Sequence, residues 1–331
     1  MSKAHIWIVS PASARANNGN WQSASRWARF LRTRYRVTIT QQWPEADAEA
    51  QRASVLPTPP DLLIALHARR SAPSLDAWTR SHPDRPSILL LTGTDLYRDI
   101  DTDADAQRSL RQASALVVLQ DAGLQALPAP LRGKAHVIYQ SAATLRPATG
   151  AQRHADIAMI GHLRQEKDPL TFMQAAALVT APSARLIHIG GALEPALALA
   201  AQATAAQRPR YQWLGPMAHA ATRQRLKRCR AMALTSHMEG GANVIIEAVC
   251  AGVPVLASDI SGNRGMLGQH YAGYFPPGDA AALACLIDRV IADTDFYRQL
   301  RAQCDARAPL FAPAAEQAAL LELVDNLLHK T

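Results

Sequence analysis

Two glutamates, Glu239 and Glu247, stand eight positions apart in the stretch EGGANVIIEAVCAGVPVLASD, and a glycine pair, Gly240 and Gly241, follows the first. An ionised carboxylate only accepts hydrogen bonds and can take two hydroxyls at once, which suits the vicinal diol of a ribose. The glycines carry no side chains, so a ligand can approach their backbone closely. VIIEAVCAG reads as a helix, and its unpaired first amides, from about Ala242 and Asn243 to Ile245, favour an anion together with the helix dipole. Glycines, helix start and a carboxylate one turn further in outline a diphosphate site with a ribose contact. Glu239 is placed to reach a neighbouring sugar hydroxyl. A purely structural role would have Glu239 cap the helix and leave Glu247 exposed. The apolar run around Glu247 weighs against it, because an unpaired glutamate is costly to bury there.

Such residues need elements to position them. RAMALTS reads as a strand ending near Ser236, so HMEGGAN is its carboxyl-end loop. Upstream, DIAMIGHL, RLIHIGG and YQWLGPM alternate with helices through DPLTFMQAAALVT and PALALAAQATAA and with a basic helix, and PVLASD follows the glycine-led helix. An earlier set, HIWIVS, RVTIT, DLLIALH, SILLLTG, ALVVLQ and HVIYQS, alternates with helical or irregular segments, including a helix from about Trp21 to Leu31. Strands apolar on both faces belong to parallel sheets covered on both sides. The predicted architecture is α/β: two Rossmann-like, doubly wound parallel-sheet domains facing a central cleft, over residues 1–150 and 151–312, joined through LRPATGAQRHA. An amphipathic helix over 313–331 is expected to pack on either domain, the N-terminal one included. Ligands of such folds lie at the carboxyl ends of the strands.

Composition narrows the function classes. A chain of 331 residues exceeds what one core usually supports, and its 48% apolar content indicates a soluble globular protein. The N-terminus has too short an apolar run for a signal peptide, and no segment approaches a membrane span of about 20 apolar residues, so a cytoplasmic protein is expected. Cys229, Cys250, Cys285 and Cys304 are widely spaced and read as reduced, buried thiols. The net charge of +8 raises nucleic-acid binding, but the arginines are scattered apart from RWARFLRTRYR and RQRLKRCR. Both stretches read as helices with Trp27, Phe30, Leu31, Leu226 and Cys229 inward and a solvated basic face outward, with membrane-surface or anion-steering roles as the alternatives. DIDTDAD, Asp99 to Asp105, lacks the glycine and terminal glutamate of a calcium loop and reads as surface loop or helix cap.

The run EGGANVIIEA with AGVPVLASD after it resembles the E-x7-E signature of the family 4 nucleotide-sugar glycosyltransferases of GT-B fold, and IAMIGHLRQEKDPLTFMQAAALV resembles the opening of their second domain. The resemblance implies that Gly161, Arg164 and Lys167 bind the donor, the two cations neutralising the departing diphosphate. It implies Glu247 on the ribose, Glu239 on the donor sugar, and the amides of Gly240, Gly241, Ala242 and Asn243 on phosphate or sugar. Arg164, Lys167 and Glu239 are the expected catalytic residues, since stabilising the leaving group is the largest catalytic demand. No metal or other cofactor is expected.

The first-domain stretches NNGNWQ, HARRS and TGTDLYRD resemble, more narrowly, the selenosugar synthases of selenoneine biosynthesis, which join the sugar of a UDP-sugar to the selenium of selenophosphate. UDP-N-acetylglucosamine or UDP-glucose is the implied donor. The expected partners are therefore a UDP-sugar and selenophosphate, without nucleic acid or stable membrane association. A small, multiply charged acceptor calls for backbone amides and guanidinium forks. The loop over Asn17, Asn18, Gly19 and Asn20 precedes the first helix and is placed to donate amides, and Arg69 or Arg70 with Arg98 to grip phosphate oxygens. His67 is either a residue near the donor sugar or a hydrogen-bonded scaffold histidine. Asp95 is expected to orient Arg98 or a sugar hydroxyl, and Thr92 and Thr94 to satisfy backbone groups of their turn. Trp21 and Trp27 read as core. Two other functions fit the same residues: transfer to a hydroxyl of a glycan or lipid, and a non-catalytic binding module.

Overall fold

The structure is a computed structural model that describes residues 3–12, 19–44, 59–146 and 153–329. The chain divides into two compact units, Met1–Gln140 with Pro313–Thr331, and Ser141–Ala312.

The first unit is built on six parallel strands: β1 (His5–Val9), β2 (Arg36–Thr40), β3 (Leu62–Leu66), β4 (Ser87–Leu90), β5 (Ala115–Val118) and β6 (Ala135–Val137). Their order is β2-β1-β3-β4-β5-β6. β1, β3, β4 and β5 are buried along their whole length, as apolar runs on both faces require. One face packs on α1 (Gly19–Leu31) through Trp27 and Leu31, and the other on α2 (Ala72–Ser81) and α3 (Ala104–Gln112) through Leu75, Trp78 and Leu110. The C-terminal helix, Pro313–Leu328, closes the α1 side with Leu320 and Val324. Its buried Glu316 takes Arg26 Nε at 2.8 Å and Trp27 Nε1 at 2.8 Å. The chain runs from β1 to β2 in one direction and from β3 to β6 in the other, so the switch point lies where β1 adjoins β3.

The second unit has the order β12-β11-β10-β7-β8-β9, again parallel throughout. Its strands are β7 (Ala155–Ile160), β8 (Ala184–Ile189), β9 (Tyr211–Trp213), β10 (Ala231–Leu234), β11 (Val255–Ser258) and β12 (Tyr274–Phe275). Between and after them come α4 (Pro169–Leu178), α5 (Pro195–Gln207), α6 (His219–Leu226), α7 (Asn243–Cys250), α8 (Ser261–Leu267), α9 (Ala280–Ala292) and α10 (Thr294–Arg307). Here the switch point falls between β7 and β10, which brings the segments after Ile160 and after Leu234 side by side.

Several expectations are corrected. α1 begins at Gly19, so Gly19 and Asn20 stand in its first turn and not in a preceding loop. RWARFLRTRYR is not one helix: α1 ends at Leu31 and Arg36 opens β2. Its outward face is basic and solvated as expected, with Arg29, Arg32, Arg34 and Arg36 exposed, and Arg26 alone is withdrawn, held by Glu316. RQRLKRCR leaves its helix at Leu226; Arg225 pairs with Asp156 and Arg230 lies over the Tyr297 ring, while Arg228 is exposed. Trp21 is only half-buried, while Trp27 is core. Cys285 is exposed, and the other three thiols are buried. The two-residue β12 carries no sequence signal of its own. No helix among the described residues is long and apolar enough to cross a membrane.

Candidate functional site

In the second unit the chain leaves β7 at Gly161. The imidazole of His188, fully buried on β8, donates from Nε2 to the Gly161 carbonyl at 3.1 Å and accepts from the Tyr211 hydroxyl at Nδ1, also at 3.1 Å. Burial pushes its pKa down to about 4, so it is neutral when it makes these bonds. Gly190 passes so close that a Cβ there would lie 1.8 Å from the Gly161 oxygen, which only glycine permits. Arg164 follows in extended conformation, and its Nε is buried with no hydrogen-bond partner among the described residues. A buried guanidinium nitrogen without an acceptor keeps a donor available to an anion.

A 3-10 turn over Gln165–Lys167 then leads to Asp168, which holds a left-handed backbone (φ 44°) and caps α4 by accepting from the Thr171 amide. This turn is tied to the segment after β10: the Thr235 hydroxyl donates to the Lys167 carbonyl at 2.8 Å, and the His237 amide to the Glu166 carbonyl at 3.0 Å. The tie sets the side chains face to face. Lys167 Nζ bonds Glu239 Oε1, and the Ser236 hydroxyl donates to the same oxygen at 2.6 Å. Gly262 of α8 packs on the other side, where a Cβ would fall 1.8 Å from the Glu239 carbonyl oxygen.

Glu239 therefore does not cap the glycine-led helix. The cap position of α7 belongs to Ala242, which offers no side-chain acceptor, so Asn243 and the residues after it begin a helix whose first amides lack a side-chain cap. Glu247, one turn further on, is buried and accepts from His219 Nε2 at 2.6 Å. Gly161, Arg164, Lys167, Glu239, Gly240, Gly241, Ala242 and Asn243 all lie in the two segments that meet at the switch point, and Glu247 lies in the helix that the second of them opens.

In the first unit the segments after β3 and β4 meet. His67 has a left-handed backbone (φ 73°) and is almost fully buried. Its Nε2 donates to the Thr94 hydroxyl at 3.1 Å, and its Nδ1 accepts from the Arg70 amide at 3.4 Å. Burial lowers its pKa, with the Asp95 charge opposing, so the ring is neutral near pH 7 and both nitrogens are in use. Asp95 has no exposed surface: Oδ1 accepts from the Thr92 amide (2.8 Å) and hydroxyl (2.7 Å), and Oδ2 from the Ala68 amide (2.8 Å). It braces the two segments and does not orient Arg98. The hydroxyls of Thr92 and Thr94 likewise serve side chains, the first donating to Asp95 and the second accepting from His67.

The residue that holds the arginines is Asp99, at the far end of a π-helical turn over Asp95–Asp99. Its buried carboxylate lies 2.9 Å from Arg69 Nε and 3.2 Å from Arg98 Nε. Both guanidiniums are nearly half exposed. Arg70 is exposed beside them. Gly19 and Asn20 stand at the start of α1, and Asn18 lies outside the described residues. Sequence reasoning missed Asp99 and His219. Asp99 had a usable signal, since it follows Asp95 by one helical turn; His219, 28 positions before Glu247, had none. Asp103 caps α3, as a helix-cap reading of DIDTDAD expects. Among the described residues no group of His, Cys, Asp and Glu side chains is arranged to hold a metal ion.

Residues 143–309 match the family model described as glycosyl transferases group 1. Solved structures share the whole fold at low identity. A structure of Anabaena HepE in complex with UDP and glucose is 19% identical, covering 98% of this chain and 100% of its own, with a TM-score of 0.77. Sucrose-phosphate synthase from Thermosynechococcus elongatus is 16% identical over 99% and 100%, with a TM-score of 0.79. The lipopolysaccharide outer core galactosyltransferase WaaB is 15% identical over 98% and 99%, with a TM-score of 0.71. No curated protein sequence matches the chain.

Proposed function

The chain belongs to the group 1 glycosyl transferases and has the GT-B fold, and from that premise we propose that it transfers the sugar of a UDP-sugar, UDP-N-acetylglucosamine or UDP-glucose, to the selenium of selenophosphate. The observation that carries the donor half is the preformed Lys167–Glu239 pair beside the buried, unpartnered Arg164 Nε and the uncapped start of α7. Two cations and a set of amides converge at one sheet end, as a departing diphosphate demands. UDP as the nucleotide is supported by the Anabaena HepE complexes with UDP and with UDP-glucose.

In this reaction the bond from the anomeric carbon to the diphosphate oxygen breaks and UDP leaves with the electron pair. The new bond forms between that carbon and selenium, so the product carries the sugar on selenium. Arg164 and Lys167 take up the charge that develops on the diphosphate. Glu239 accepts from the donor sugar, and Glu247 from the ribose. In the first unit Arg69 and Arg98, held by Asp99, grip the phosphate oxygens of the acceptor, with Arg70 and the start of α1 alongside.

A selenium-bearing acceptor is favoured over a hydroxyl for one structural reason. A hydroxyl acceptor gains from a general base, and His67 at this sheet end has both ring nitrogens in hydrogen bonds within the first unit. Selenophosphate is already anionic near neutral pH and needs none. Three buried free thiols fit a reducing, cytoplasmic setting. In the test, Arg164→Ala and Glu247→Ala should abolish UDP release while circular dichroism stays that of the wild type; a variant with near-normal rates removes its residue from the donor site.

A further inference from the structure

Glu247 is 9% exposed. A carboxylate that far from water requires a partner, and its partner is a residue that no motif points to. His219, the first residue of α6, brings Nε2 to 2.6 Å from Oε1, while about half of its own side chain stays in solvent. The ring thus reaches in from the surface to a buried acid on another helix. Oε2 takes no hydrogen bond among the described residues.

A free glutamate side chain samples several rotamers, and a ligand that needs one of them bears the cost of selecting it. The short bond to His219 removes that freedom before any ligand arrives and commits one oxygen, so the other is presented as a single, directed acceptor. We propose that His219 is a positioning residue for the nucleotide: it fixes Glu247 so that Oε2 accepts from the ribose hydroxyls, and it thereby sets how strongly the enzyme prefers ribose to deoxyribose. This inference rests on the donor reading of Glu247 given above. Arg223, one turn along α6, does not duplicate the role, because its guanidinium donates to the Ala143 carbonyl.

The experiment is calorimetric titration of the full chain with UDP and with 2′-deoxy-UDP. His219→Ala should weaken UDP binding about tenfold, the size of one lost hydrogen bond to a charged group. It should weaken 2′-deoxy-UDP binding less, so the ratio of the two affinities shrinks. Steady-state rates should show a matching rise in KM for the UDP-sugar with kcat within twofold. His219→Gln, whose amide donates at similar reach, should recover most of the affinity and the ratio. Should the alanine variant be unstable, His219→Phe fills the space without a donor and carries the same expectation. An unchanged affinity ratio in the Ala and Phe variants, or no recovery in the Gln variant, overturns the positioning role. Glu247→Ala separates the two claims: if it loses UDP while His219→Ala does not, only the inference fails, and if it binds UDP like the wild type, the donor reading fails as well.

Discussion

Lys167 and Glu239, from segments that follow two neighbouring strands, meet at Oε1, the oxygen that also accepts from the Ser236 hydroxyl. Both side chains are largely withdrawn from water. Removing either leaves the other without its partner in a site assigned to the leaving group and the donor sugar. Lys167→Ala and Glu239→Ala should each lower the rate of UDP release by roughly 10² to 10³. The double variant should be little worse than either single one, because the two act as a unit. Initial rates for all four proteins complete the cycle, and fully additive losses would mean that the residues work independently.

Asp99 gives a prediction confined to the acceptor. It is the shared counter-ion of Arg69 and Arg98, so Asp99→Asn keeps the shape and loosens both guanidiniums. KM for selenophosphate should rise about tenfold with KM for the UDP-sugar unchanged. A parallel rise in both constants would show a general disturbance of the first unit.

The C-terminal helix makes a stability prediction. Glu316 is buried and accepts from both Arg26 and Trp27. Glu316→Ala strands a mostly buried guanidinium and an indole N–H, a change of about 3–5 kcal/mol in favour of unfolding. Urea denaturation followed by tryptophan fluorescence should show a clearly lower midpoint, and an unchanged midpoint would remove the Arg26–Glu316 pair from the stability of this unit.

His188 sets an acid limit on the second unit. Its folded pKa is lowered from 6.5 to about 4, so between those values the unfolded chain binds a proton that the native one does not. Stability therefore falls as pH falls through that window, by about 3 kcal/mol in total. His188→Gln should be less stable near pH 7 and should lose this part of the pH slope. Denaturation midpoints at pH 4.5 and 7 for both proteins check the sign, and equal slopes would contradict the assignment.

The sheets and the donor segments were legible because they are written locally. Strands such as LLIAL and SILL are apolar on both faces, and the glycine pair, helix start and Glu247 lie within one short run. Pairings across distance were not. The Arg26–Glu316 bond joins residues 290 positions apart, so nothing local separated Arg26 from the exposed arginines around it. His219 and Glu247, 28 positions apart, meet only in the folded chain. Asp95 and Asp99 were confused in role because both lie one turn apart on one segment, and the π-helical turn decides which faces the backbone and which the arginines. The strand order places β7 beside β10, and from that order alone Lys167 could have been set opposite Glu239.

The most direct measurement is UDP release by the purified protein from UDP-N-acetylglucosamine and UDP-glucose, with and without freshly prepared selenophosphate, with mass spectrometry of the product. Release that depends on selenophosphate, with a product carrying sugar on selenium, is the expected result. Binding of either donor with no stimulation by selenophosphate would contradict the acceptor assignment and leave a GT-B glycosyltransferase that serves another nucleophile.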